Sequence, residues 1–313
     1  MSTPAASSDR AHLQKYAWLA IATAIATILL KSGAWWLTGS VGLLSDAAES
    51  SVNLVAAVVA LYALTVAARP ADEDHHFGHT KAEYFSALAE GQMIFIAALF
   101  IIWSAIDRLL NPAPLENVGI GLAISVGASV LNGLVAVVLL RAGRRYRSHT
   151  LIADGKHLMT DVWTSVGVVI GVLLVAVTGI ERLDPIVALA VGLNIVITGY
   201  KLLRDSALAL IDGAMPAEEN EQLASILAGL RSDDVDFHGL RTRVSGHRGF
   251  AEVHVLVPGD WSVTQGHDLA ERIEQAVISE LPDVTVSTHV EPREDPRSYD
   301  DYETEIPIAP ATP

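Results

Sequence analysis

Apolar and polar positions divide this chain into six long apolar runs followed by a shorter stretch of mixed character. The runs cover residues 16–37, 41–67, 84–109, 118–140, 151–178 and 183–203. Crossing about 30 Å of hydrocarbon takes about 20 apolar residues in a helix, so each run predicts a membrane-spanning helix. Six spans place both termini on one side. Arg10 and Lys15, Arg69 and Lys81, the group Arg141, Arg144, Arg145 and Arg147, and then Lys201 and Arg204 flank the same face. The excess of basic residues makes that face cytoplasmic. Beyond Pro216 the periodicity becomes that of a water-soluble layer. Residues 218–230 space their apolar positions as a helix, 237–244 and 250–257 alternate as strands, 263–281 reads as an amphipathic helix, and 284–290 alternates again. The expected organisation is a mobile N-terminus over 1–15, a six-helix membrane domain over 16–208, a cytoplasmic α+β domain over 209–292 and a disordered acidic tail over 293–313, where proline and acid dominate. The opening MSTPAASSDR is polar and no small-residue cleavage pattern follows the first run, so the first span is expected to stay in the mature chain.

Composition agrees with the bilayer as solvent. The 313 residues are 51% hydrophobic and only 18% charged, with a mean hydropathy of +0.37. The net charge of -15 arises because most of the acid lies beyond Asp205, and an acidic aqueous domain argues against nucleic acid as a partner. There is no cysteine. Disulfides are therefore excluded, and any metal site has to be built from imidazole, carboxylate, amide or water, which disfavours Cu(I) and thiolate chemistry.

Ionisable groups inside spans are costly and mark functional positions by default. The second run carries Asp46, Glu49 and Asn53, and the fifth carries His157 and Asp161. Glu49 and Asn53 stand one helical turn apart, as do His157 and Asp161, so each pair points one way. Two such pairs on facing helices would offer imidazole, two carboxylates and an amide oxygen to one ion, a donor set suited to Zn, Mn, Fe(II), Co or Ni. The same groups would also serve as an interhelical hydrogen-bond network that holds the bundle together.

Two further constellations lie outside the spans. The connection PADEDHHFGHTKAE clusters Asp72, His75 and His79, and Gly78 allows the turn that lets them converge. His76 reads either as a substitute ligand or as a solvated side chain, and an ordinary polar loop is the plain alternative. In the soluble part, His238, His254, His267 and His289 fall on four predicted elements, and strand alternation puts Glu291 on the same face as His289. Histidines so scattered are also ordinary surface or core residues.

The chain resembles the cation diffusion facilitator family, in particular its bacterial zinc and iron exporters. The resemblance is carried by WWLTGSVGLLSDAAES, PADEDHHFGHTKAEYFSALAE, GKHLMTD, HGLRTRVSG and THVEP, and runs from about Tyr16 to Pro292. It implies an α-helical membrane protein with six transmembrane helices and a cytoplasmic ferredoxin-like αββαβ domain of the metallochaperone type. It also implies a homodimer in the inner (plasma) membrane and proton-coupled alternating access. By position it implies a transport site at Glu49, Asn53, His157 and Asp161, a loop site at Asp72, His75 and His79, and a dimer-bridging site at His238, His254, His267, His289 and Glu291. Lys81 matches the lysine, and Asp212 its acidic partner, of the ion pair that steadies the family's dimer. One departure concerns the metal: the family's zinc carriers commonly offer two aspartates, or histidine and aspartate, where this chain has Glu49 and Asn53. A neutral amide oxygen suits Mn2+ or Fe2+ better than zinc, and Asp46 would enter the site in a different helix register.

The expected activity is export of a divalent transition-metal cation, zinc first and Mn2+ or Fe2+ as alternatives, with the metal as both substrate and regulator. Imidazole titrates at about 6.5 when unperturbed, so protons and metal compete at His157. An intramembrane metalloenzyme would need an open metal position and a general base; there is no HExxH and no nucleophile motif. A metal-responsive scaffold is the other class, but it has no need for ligands deep in two spans.

Overall fold

The computed structural model describes residues 10–38, 41–111, 118–180, 182–300 and 304–308. Six long helices come first: α1 Gln14–Thr38, α2 Val41–Ala67, α3 Ala82–Leu110, α4 Val118–Arg145, α5 His149–Thr178 and α6 Leu183–Leu210. Among the described residues five of these are long and apolar enough to cross a membrane, and α2 adds the apolar stretch Asn53–Ala67. On α3 the small or inward residues Ala87, Ile94 and Ala98 are buried, while Phe85, Ile96, Phe100 and Trp103 face outward. Small residues against neighbouring helices and bulky apolar ones outward is the arrangement that lipid favours.

Helices α4 and α5 approach each other at glycine. A Cβ on Gly143 would lie 2.7 Å from Ile152 Cγ1, and one on Gly155 would lie 2.8 Å from Leu140 Cγ. The start of α5 is tied to α3 through Glu83, which is fully buried. Ser148 caps α5 by accepting from the Leu151 N–H at 3.4 Å, and its hydroxyl donates to Glu83 Oε2 at 2.5 Å. The Thr150 N–H donates to the same oxygen at 3.4 Å. A carboxylate fits there because the first N–H groups of a helix lack internal partners and carry its positive end.

Every expected element is present, with three corrections. The helices outrun the apolar runs, as where α4 continues past Leu140 through Arg141 to Arg145, because hydropathy marks only the apolar part of a helix while backbone hydrogen bonding continues past it. The mobile N-terminus expected over 1–15 is ordered from residue 10: Arg10–Leu13 form a 3-10 turn, and Leu13 is buried with Ala17, Leu139 and Leu151. Leu13 and Ala17 extend the apolar face of α1 by one turn.

The chain divides into two compact units, residues 1–207 and 208–313. The second contains α7 Ala217–Gly229, β1 Asp236–Ser245, β2 Arg248–Val257, α8 Val263–Glu280 and β3 Val284–Pro292. Its sheet runs β1-β2-β3, antiparallel between β1 and β2 and parallel between β2 and β3. Ala251, Val253 and Val255 of β2 and Val284 and Val286 of β3 pack with Leu223 and Leu227 of α7 and Leu269, Ile273 and Val277 of α8. Strand alternation leaves the other sheet face for polar residues. α8 begins with a capping box between Ser262 and Gln265.

The tail expected to be disordered from residue 293 is ordered over 293–300 and 304–308. Pro296–Tyr299 form a 3-10 turn, the Ile306 N–H donates to Leu240 O at 2.8 Å, and Ile306 and Ile308 pack on the domain core. β1 is an edge strand, and an edge offers open backbone groups to any segment with alternating apolar residues. Averaging over the surrounding acid and proline hides that alternation.

Asp295 caps this turn, accepting from the Arg297 N–H at 2.9 Å and pairing with the Arg297 guanidinium at 2.5 Å. The Arg297 side-chain and backbone hydrogen bonds hold the Asp295 carboxyl at about 2, below its ordinary 3.8. A depressed carboxyl contributes stability that is complete above its ordinary value and lost as pH falls through the folded one. Titration of the Asp295 side-chain carbonyl by NMR is expected to give a midpoint at about 2. An ordinary midpoint would mean that the cap does not form in solution.

Candidate metal centres

In the membrane unit, α2 and α5 bring Asn53, His157 and Asp161 together. The Asn53 Oδ1 lies 2.9 Å from His157 Nε2, and the Asn53 side-chain amide donates to Asp161 Oδ2. Asn53 and His157 are buried. One amide thus spans two side chains that stand a turn apart on α5, its oxygen toward the imidazole and its nitrogen toward the carboxylate. Glu49 and Asp46 lie on α2, but their side chains fall outside the described residues. The donors brought together are one imidazole nitrogen, one amide oxygen and one carboxylate, which suits a divalent transition-metal ion.

The connection after α2 forms the second constellation. Asp72 Oδ1 lies 3.1 Å from His75 Nδ1 and Asp72 Oδ2 lies 3.3 Å from His79 Nε2. The two imidazoles are 4.2 Å apart between centroids, and Gly78 turns the chain at φ 82°. His75 and Asp74 also donate their backbone N–H groups to Asp72 Oδ1. Desolvation pushes the Asp72 carboxyl up, but hydrogen bonds from the His75 ring and from the backbone of His75 and Asp74, with His79 nearby, outweigh it and hold the group below its ordinary 3.8. The carboxylate therefore stays ready to ligate.

The third lies on the polar face of the sheet, where strand register builds it. His238 pairs with His254 across β1 and β2, and His254 pairs with His289 across β2 and β3. Three histidines thus stand in one row. Glu291, two residues on from His289, receives all of them: its Oε2 lies 3.3 Å from His238 Nε2 and 3.3 Å from His254 Nδ1, and its Oε1 lies 3.3 Å from His289 Nδ1. His267 on α8 is not drawn into this group; it lines a neighbouring cavity together with Glu291.

A β-bulge after His238 shapes the row. Gly239 sits at φ 62°, and a Cβ there would come within 3.3 Å of the His254 ring. The left-handed region costs a residue with a side chain roughly 1–2 kcal/mol. Gly239→Ala is therefore expected to destabilise the carboxy-terminal domain by about that amount and to weaken metal binding there. Chemical denaturation followed by domain-specific fluorescence checks the first effect.

Buried acids also occur in the spans outside the three constellations. Glu90 on α3 and Asp154 on α5 are fully or almost fully buried, and Lys31 of α1 lies within electrostatic reach of Asp161. The signal that singled out His157, an ionisable group inside a span, marks these three equally.

Membrane-length helices joined to a small α+β domain, with imidazole and carboxylate donors converging in both, define a multi-pass membrane protein of the metal-handling class. Residues 17–211 match the cation efflux transmembrane domain and residues 215–293 match the cation efflux protein cytoplasmic domain. The chain belongs to the cation efflux, or cation diffusion facilitator, family of transporters. It is 51% identical over 295 residues to the transporter sll1263 of Synechocystis sp., covering 94% of this chain and 95% of that protein. It is 34% identical over 276 residues to the cation-efflux pump FieF of Cronobacter sakazakii, covering 87% and 90%. A solved structure of CzrB in its Zn form matches 26% of this chain and 93% of its own length at 34% identity, with a TM-score of 0.25.

Proposed function

We propose that this protein exports a divalent transition-metal cation, zinc first, from the cytoplasm in exchange for protons. The carrying observation is the convergence of Asn53 on α2 with His157 and Asp161 on α5 inside the membrane-spanning bundle. Such groups are costly in lipid and persist where an ion passes. Membership of the cation efflux family and the naming of relatives as cation-efflux pumps support the direction of transport.

In this reading Glu49 completes the transport site. His157 must lose its proton to ligate, so protons arriving from outside evict the ion. Alternating exposure of the site then lets an inward proton gradient drive metal outward. Asp72, His75 and His79 receive cytoplasmic metal at the entrance. The protein works as a homodimer in the inner membrane with both termini cytoplasmic, and Lys81 and Asp212 steady its contacts; the match to the cytoplasmic-domain family supports this assembly. His238, His254, His289 and Glu291, with His267 at their side, bind metal as a sensor that biases the dimer toward one packing.

Mn2+ or Fe2+ is the second reading of the cargo, favoured by the neutral oxygen that Asn53 contributes in place of a carboxylate. Proteoliposomes loaded against Zn, Mn, Fe(II), Co and Cd, each with and without an imposed proton gradient, test both. Zinc flux that follows the gradient is the expected result. Flux of Mn or Fe(II) alone would reassign the cargo, and binding without flux of any ion would mean a metal-responsive scaffold.

A further inference from the structure

The ordered carboxy-terminal residues 295–300 and 304–308 lie beyond the matched cytoplasmic domain, which ends at residue 293, yet both pieces run to the row of histidines. In the first, Ser298 is buried and donates its hydroxyl to Pro292 O at 2.8 Å, and the Tyr299 hydroxyl donates to Arg293 O at 3.0 Å. These bonds set the Tyr299 ring near-parallel to the His238 imidazole, with centroids 6.3 Å apart and planes 25° from one another. In the second, Ile306 and Ile308 are anchored on the domain core. Between that anchor and the site stands Glu305, whose Oε2 accepts from the Gly239 N–H at 2.5 Å.

Gly239 is the bulged residue directly after His238, and a Cβ on it would touch the His254 ring at 3.3 Å. A bulge leaves its own backbone groups outside the strand ladder. The Glu305 carboxylate occupies that N–H with a charge-assisted bond, of the shorter and stronger kind. One segment therefore lays a near-parallel ring beside the first metal-directed histidine and secures the turn packed against the second.

We propose that this segment is a metal-linked strap: Tyr299 and Glu305 are positioning residues that hold His238 and His254 in ligating geometry, and an ion bound there in turn holds the strap down. The proposal rests on the reading of His238, His254 and Glu291 as metal ligands. Coupling between strap docking and metal binding is reciprocal, since each must change the other by the same factor. Glu305 also adds a negative charge beside a site for cations.

The test uses the full-length protein in detergent micelles, with Zn2+ titrated against a chromophoric chelator. His238→Ala identifies which binding event belongs to the sheet site. Glu305→Gln and Tyr299→Ala are expected to weaken that event about fivefold or more, the lower edge of ordinary coupling factors, while Tyr299→Phe, which keeps the ring but loses the hydroxyl bond that orients it, weakens it less. Melting temperatures in chelator should stay within error of the unmutated protein, which separates positioning from a general loss of structure. Independently of any substitution, trypsin cleavage after Arg297 should slow when Zn2+ is added to the unmutated protein and not when it is added to His238→Ala. Unchanged affinity in both variants, or a cleavage rate indifferent to Zn2+, overturns the strap. Absence of any His238-dependent binding event overturns instead the assignment of the sheet site itself.

Discussion

Vesicles containing His157→Ala are expected to lose proton-driven metal flux almost entirely, by at least about a hundredfold at limiting metal. Loss of a supporting residue outside the ligand sphere already costs roughly 10–100-fold in metal affinity or activity, and removal of a ligand costs no less. His157 contributes the imidazole nitrogen of the membrane set, 2.9 Å from Asn53 Oδ1 and buried with it. In the proposed mechanism it is also the group at which a proton and the ion exclude each other. Flux should be measured at equal reconstituted protein, after gel filtration has shown the variant to be monodisperse, because alanine also leaves space between α2 and α5. A variant that still moves metal against a proton gradient at the unmutated rate would remove His157 from the mechanism.

Asn53→Asp is expected to raise the ratio of zinc to manganese flux by about tenfold or more, equivalent to about 1.4 kcal/mol between the two ions. The amide now accepts from or faces His157 through its oxygen and donates to Asp161 through its nitrogen. Aspartate cannot donate, so without an ion two carboxylates would confront each other across α2 and α5. A bound divalent cation relieves that repulsion, and a second carboxylate beside imidazole suits zinc's preference for few, strongly donating ligands. Manganese tolerates neutral oxygens and water and gains less. The same variant should melt at a lower temperature than the unmutated protein in chelator and recover when zinc is added. A flux ratio equal to that of the unmutated protein would show that the amide does not select the metal.

The candidate sites were legible to different depths. Asn53, His157 and Asp161 stand out because ionisable or amide groups are rare within apolar runs, and the one-turn spacing of His157 and Asp161 puts that pair on one face of α5. Glu90, Asp154 and Lys31 carried the same signal without a matching pair, and only their burial or their reach to Asp161 reveals them. Asp72, His75 and His79 were legible because three donors lie within one short loop around Gly78. The sheet site was the least legible. His238, His254 and His289 are far apart along the chain, and nothing in their local sequence states that they are cross-strand partners. His267 looked equivalent to them and stands apart.

Local chemistry, readable residue by residue, determined which segments become helices and strands and which pairs share a helix face. Those properties depend on hydrophobic period and on backbone hydrogen bonds between near neighbours, so a one-dimensional pattern suffices to specify them. Tertiary structure alone decided the rest. Strand register aligned three histidines over one glutamate, α3 and α5 met through buried Glu83, and Ile306 and Ile308 drew an acidic tail onto the edge of β1. Such contacts join residues distant in sequence, and their energy comes from shape, burial and strand pairing that no short window of the chain contains.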